Sequence, residues 1–326
     1  MQTLASYQYL DSDLILQGVY DWLFEESGGL MQQMPVREVQ GNGIKYNVET
    51  TYPGATWTST NDVIPESAGD YTQRSAAIYR LIGDIDVDKY AIKTNAQQNP
   101  ELIEIKRKIR GFYHEWYDQL IHGQTTTSST VKQPKGLLKL IAELESEATT
   151  DLDALNNSQV IAMHGTAAAL TLAGMDELRD ACNSPTHYIM NKWARRQLDA
   201  LARAAGNNLQ HDNDELGYPV TRYGDQVVLI NDHIGKNFPN NSTSVLAIAT
   251  TVKNKAEAAD YDNTVIFCVR MKEDGFTIMQ AGAMEKEAPF TVPNKDALRH
   301  RVKWYNGFGL FDKYSAAALT GVTQAL

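Results

Sequence analysis

The sequence predicts an α+β fold, and three observations carry that prediction. A Gly41-Asn42-Gly43 bend separates two alternating β-type runs, PVREVQ and IKYNVET. Residues 100–122, PELIEIKRKIRGFYHEWYDQLIH, carry an apolar stripe at helical spacing. From 150 onward, helical patterns such as GTAAALTLAGMDELRDA and NKWARRQLDALARAAG alternate with strand-like PVTRYGDQVVLIND and NTVIFCVRM.

Composition sets the outer limits. With 326 residues and 43% hydrophobic content the chain can bury one large core or two modest ones. The start, MQTLASYQYLDSDLILQGVYDWLFEE, has acids where a signal peptide would be basic, so a cytosolic product is the expectation. Two cysteines, Cys182 and Cys268, in a chain this long read as buried thiols in a reducing compartment. A net charge of −10 argues against a protein that wraps a phosphate backbone, which needs clustered Lys and Arg.

Taken in order, Leu14, Ile15, Val19, Trp22 and Leu23 lie at helical spacing before Gly28-Gly29, the pattern of an amphipathic arm. The Asn-Gly bend then predicts the start of a two-stranded ribbon, because both turn positions favour positive φ. Residues 52–73, YPGATWTSTNDVIPESAGDYTQ, have few large apolar side chains and frequent Pro or Gly, so they cannot build a core of their own. Alternation returns at Ala77-Ile78-Tyr79-Arg80-Leu81-Ile82, which leaves the intervening segment to dangle or to lie on another surface. The helix over 100–122 opens on Pro and aligns Leu102, Ile105, Ile109, Phe112, Trp116 and Leu120; at 1.5 Å per residue it is roughly 34 Å long. Gly123 and QTTTSSTVKQP end it, and a shorter apolar stretch, GLLKLI, follows.

Candidate chemistry is weak throughout. In IGDIDVDKY the acids Asp84, Asp86 and Asp88 alternate along a strand, which spaces them ~7 Å apart, too far to chelate one ion. A calcium loop would also want Gly and Glu where Lys89 and Asn95 stand, so the triplet reads as the wet face of a strand, opposite solvent or a basic patch on an adjacent subunit. His114-Glu115-Trp116-Tyr117-Asp118 nearly matches the HExxH zinc motif, but the second ligand is Asp and Trp116 belongs to the apolar stripe. Neither GxxxxGK[ST], GxSxG nor CxxC occurs, and Gly307-Phe308-Gly309 lacks the third Gly and the helix of a dinucleotide loop. The basic residues Lys106, Arg107, Lys108 and Arg110 fill positions between the stripe and read as a solvated helix face. No metal and no cofactor is expected, and an enzyme using the aspartates or His114 finds no nucleophile, base and orienting group at workable spacing.

The order of parts resembles the major capsid proteins of tailed bacteriophages with the HK97 fold. GNGIKYNVE looks like that family's extended loop, IYRLIGDIDVDKY like its return strand, and PELIEIKRKIRGFYHEWYDQLIHG like its spine helix. QPKGLLKLI, PTHYIMNKWARRQLDAL, GYPVTRYGDQVVLINDH and the closing RHRVKWYNGFGLFDKYSAAALTGV resemble later parts of the fold in the same order. The resemblance implies an N-terminal arm over 1–40, an extended loop over 41–75, a peripheral domain over 76–149 and 276–312, and an axial domain over 150–275 and 313–326. It implies a shell subunit rather than an enzyme, assembled in the host cytoplasm into pentamers and hexamers of an icosahedral capsid around double-stranded DNA, without sequence-specific binding or a membrane. A portal and a separate scaffolding protein are implied partners, and a nanocompartment shell of the encapsulin kind is the rival within the fold. Tyr52, Trp57, Val63, Ile64, Asp84, Asp86 and Asp88 are the expected inter-subunit contacts. Some relatives join neighbours by a Lys to Asn isopeptide bond from the long loop; no Lys lies between Tyr46 and Gln73, so none is expected from that loop.

Overall fold

The computed structural model describes residues 30–51, 53–94, 100–123, 132–145, 152, 157–163, 169–206, 210–213, 219–234 and 263–323. The expected arm helix before Gly28 and Tyr52 of the loop lie outside these residues. The described chain opens with a helical turn, α1 (Leu30–Gln33), and a short strand, β1 (Val36–Glu38). A corner at Gly41, φ +104°, leads into β2 (Gly43–Thr51); after the long loop come β3 (Asp70–Ala77) and β4 (Tyr79–Asp88). Next are α2 (Lys89–Thr94), the long α3 (Pro100–His122) and the short α4 (Leu137–Ala142).

The rest of the described chain alternates strands with two α-helices. β5 (Val160–Ala162) precedes α5 (Leu172–Asp180), whose cap Thr171 accepts from Gly174 N at 3.1 Å. β6 (His187–Met190) leads into α6 (Lys192–Ala204), capped by Asn191, which accepts from Ala194 N at 2.8 Å. β7 (Gln210–Asn213), β8 (Pro219–Tyr223) and β9 (Gln226–Ile230) follow; the Gly224-Asp225 turn between the last two places Gly224 at φ +61°, a conformation glycine takes without steric cost. β10 (Asn263–Val269), β11 (Phe276–Gln280), β12 (Glu285–Lys286), β13 (Phe290–Thr291), β14 (Ala297–Leu310) and β15 (Ala316–Thr323) complete it.

These strands form three sheets. In the six-stranded sheet β14 is central: β4 runs antiparallel along one edge, and β13, β12 and β11 pair in series along the other. The seven-stranded sheet has the order β5-β15-β10-β6-β9-β8-β7, and β2 with β3 make a separate ribbon. Helix α3 lies on the six-stranded sheet, where Trp116 stacks on Trp304 at 6.0 Å and meets Phe308 edge-on at 5.4 Å. The same core continues to the seven-stranded sheet through Phe267, Val269, Ile189 and Leu229. Alternate residues Ile266 and Cys268 face a second core built with Met175, Leu178, Trp193 and Leu198 of α5 and α6. This sheet is therefore buried on both faces, which is why NTVIFCV reads as a continuous apolar run.

Three details differ from the sequence reading. The Gly41-Asn42-Gly43 bend is a corner between sheets, because β1 pairs in parallel with β11 and β2 finds its partner in β3. Local turn chemistry cannot tell these apart, since the competing partner strand lies more than 200 residues away. The return strand begins at Asp70, inside the segment read as polar loop, because its exposed face needs no apolar residues. Leu102 of the predicted stripe is exposed, whereas Tyr113, Tyr117 and Ile121 join Ile105, Ile109, Phe112, Trp116 and Leu120 in the core. Both cysteines are buried free thiols, as the sequence reading has them.

Candidate assembly surface

The ribbon β2–β3 leaves the body as an antiparallel pair from Gly43↔Ala77 to Thr51↔Asp70. Beyond it, local bonds close the loop: Ser67 Oγ donates to Gly54 O at 2.6 Å, and Ser59 and Asp62 form a tight tip in which Asn61 takes φ +74°. On this tip Trp57 is 102% exposed, Val63 91% and Ile64 77%. These are the three most exposed of the large apolar side chains among the described residues. Three of the four loop residues singled out in the sequence thus share one projecting element, and Tyr71, on β3 of the ribbon, is a further exposed aromatic residue that the sequence reading passed over.

The root of the ribbon is anchored. Val39, Ala76, Ile78 and Met279 form a small core joined by Ile44, Tyr46, Tyr305 and Phe311. Tyr46 meets Phe311 edge-on at 5.0 Å, and its burial pushes the phenol up to about 12. A Cβ on Gly307 would stand 2.4 Å from Ala77 O, so only glycine lets β14 pass this close to the ribbon's backbone. On the other strand, the Arg74 guanidinium donates to Glu143 O and, at 3.3 Å, to Leu144 O.

The aspartates of β4 meet basic residues of the same chain. Asp84 stands directly across from Arg301 and Asp86 across from Arg299. Arg301 donates to Asp84 at 2.7 and 2.8 Å, and Arg299 to Asp86 at 2.5 and 2.7 Å, each through a two-pronged fork. These hydrogen bonds hold both carboxyls below the usual carboxylate range. Lys303 and Glu287 extend the ladder at 3.0 Å. Asp88 accepts from Tyr90 N at 2.7 Å at the start of α2. The sequence reading set these acids opposite solvent or a basic patch on an adjacent subunit; Asp84 and Asp86 instead meet Arg301 and Arg299 on β14 of the same chain, which left no local signal.

A histidine cluster joins α3 to the turn after β9. His114 Nδ1 and His233 Nε2 are 3.2 Å apart, and His122 Nε2 lies 3.1 Å from His233 O. Burial lowers the pKa of both His122 and His233, and His114 lowers that of His233 further. Among the described residues no group of three or more His, Cys, Asp or Glu is arranged to hold a metal ion. No described helix is long and apolar enough to cross a membrane.

The profile described as "Phage capsid family" matches residues 19–252, well over half of the chain. The chain belongs to the phage capsid family. No curated protein matches this capsid sequence. Among solved structures, the capsid of a native GTA particle matches with a TM-score of 0.60 at 15% identity, covering 90% of each chain. The encapsulin of the holo-SrpI complex from Synechococcus elongatus PCC 7942 matches with a TM-score of 0.59 at 13% identity, covering 90% of this chain and 86% of that one. A structure from Mycobacterium phage Adephagia gives 0.54 at 14% identity, over 91% and 90%. At such identities the likeness shows the fold, which is the HK97-like capsid fold. The capsid subunit is accordingly a structural shell protein whose working form is a homo-oligomer and whose place is the virion capsid.

Proposed function

We propose that this chain is the major subunit of an icosahedral head that encloses a double-stranded DNA genome. The observation that carries the proposal is the exposed Trp57, Val63 and Ile64 beyond a hydrogen-bonded ribbon, with no cover among the described residues. Burying them on a neighbouring copy removes that apolar area from water, at roughly 25 cal/mol per Å². Each contact is modest; copies that meet several neighbours combine them through effective concentration, provided the symmetry closes. Pentamers and hexamers supply that closure, with a portal and a separate scaffolding protein as further partners during assembly in the host cytoplasm. The role calls for no catalysis. A net charge of −10 suits a container, because an acidic lining does not trap the packaged polymer by counterion release.

The domain reading gains support from the sheets. β4 and β11 to β14 fall within 76–149 and 276–312, the proposed peripheral domain, and β5 to β10 with β15 within 150–275 and 313–326, the proposed axial domain. β1, from the arm segment, docks on the peripheral sheet. The likeness to an encapsulin supports a second reading, a shell that holds protein cargo. Electron microscopy of particles made with the neighbouring genes decides between them: DNA-filled heads are expected, small uniform particles containing protein would favour the cargo shell, and a monomer at high concentration would end both readings.

A further inference from the structure

The ribbon's direction is set at its root, where an arginine ties one of its two strands to the body. Directly opposed residues in an antiparallel pair face the same side, so Ile44 with Ala76, and Tyr46 with Arg74 one step further out, line the ribbon's inner face. At the outer of these pairs β2 is held by Tyr46 against Phe311, and β3 by Arg74 against the end of α4. We propose that Arg74 is the positioning residue of assembly, a stay that fixes the angle at which the long loop leaves the subunit. The proposal rests on the reading that the loop tip is buried on a neighbouring copy.

The chemistry of the stay is specific. Glu143 and Leu144 lie just past the last turn of α4, where backbone carbonyls need donors from outside the helix. The planar guanidinium supplies two at once, to Glu143 O and Leu144 O, which a lysine ammonium does not reproduce. The acceptors are themselves held: the buried Glu143 carboxylate takes Lys135 Nζ at 2.8 Å and Lys139 Nζ at 3.4 Å, and Lys135 also reaches Ser75 O at 3.4 Å. Beyond Tyr46 five more residues of β2 extend the ribbon by ~17 Å, and the loop follows, so a small tilt at the root becomes a displacement of several ångströms at Trp57. An isolated two-stranded ribbon is too weak to resist such a tilt alone. Fixing the angle before subunits meet removes part of the ordering cost of each contact.

The test compares Arg74→Met, Arg74→Lys and Trp57→Ser with the parent chain, reading the concentration at which particles form together with the far-UV spectrum and thermal unfolding of the dissociated subunit. Arg74→Met is expected to unfold like the parent yet raise the onset concentration about tenfold, with Arg74→Lys in between. Hydrogen exchange over residues 43–77 of the dissociated subunit is expected to quicken in Arg74→Met. If Trp57→Ser impairs assembly while Arg74→Met forms parent-like particles at the parent's concentration, the stay is overturned and the docking reading stands. If Trp57→Ser also assembles like the parent, the docking reading falls and the stay falls with it. Should Arg74→Met fail to fold, exchange in the parent decides: protected ribbon amides before assembly support the stay, and exchange as fast as in a free peptide overturns it.

Discussion

Asp84 shows how a residue's role depends on what stands across from it. Its alternation with Asp86 and Asp88 marked a wet strand face, and that face is indeed half exposed, but the forks from Arg301 and Arg299 turn it into a ladder of cross-strand pairs. Because the Asp84 carboxyl is held low, its contribution to stability is present above about pH 4 and is lost as the pH falls through the folded-state value. Replacing Arg301 by Met is expected to return the Asp84 titration toward the ordinary carboxylate range, measured by NMR of the side-chain carboxyl. An unchanged titration would mean that the fork does not govern it. The alternation was legible in the sequence; the arginines, over two hundred positions away, were not.

Helix α3 packs on the six-stranded sheet, in a core that continues to the seven-stranded one. Its stripe was readable from spacing because a helix repeats every 3.6 residues, but periodicity says only which residues share a face and not what covers them, and Leu102 is exposed. Trp116, 1% exposed between Trp304 and Phe308, fills the centre of that contact. Trp116→Ala is expected to cost about 3–5 kcal/mol in urea unfolding of the subunit. The same helix carries a pH response at its far end. His122 and His233 have folded-state pKa values below the ordinary 6.5, with Asp118 and Asp232 as the nearby acids and His114 as the nearby base. His300 on β14, 3.1 Å from Glu101 of α3, is lowered too, chiefly by burial. A group held neutral in the fold costs nothing at pH 8. As the pH drops below about 6.5 the unfolded chain takes up protons first, so stability falls until the folded-state values are reached. The melting temperature is expected to be flat from about pH 8 to 7 and to decline towards pH 5. A triple variant with Asn at 122, 233 and 300 should flatten that decline, and a slope equal to the parent's would assign it elsewhere.

At the scale of the molecule, the loop tip makes assembly visible. Among the described tryptophans, Trp116, Trp193 and Trp304 are buried and Trp57 stands wholly in water. Particle formation is expected to shift the emission to the blue and to reduce quenching by acrylamide, and Trp57→Phe should abolish most of that change. A change that persists in Trp57→Phe would mean that the tip stays wet in the shell.

The sequence by itself determined what short-range physics encodes: the long helix, the buried strands, and a loop with too few large apolar side chains to build a core of its own. Tertiary structure alone decided which strands pair, that the glycine bend is a corner, that the aspartates face β14, and that Arg74 ties the ribbon to α4. Helix periodicity and capping act within a few residues and leave a local imprint. Pairing and ion-pair choice join positions far apart in the chain, and no neighbouring residue records them.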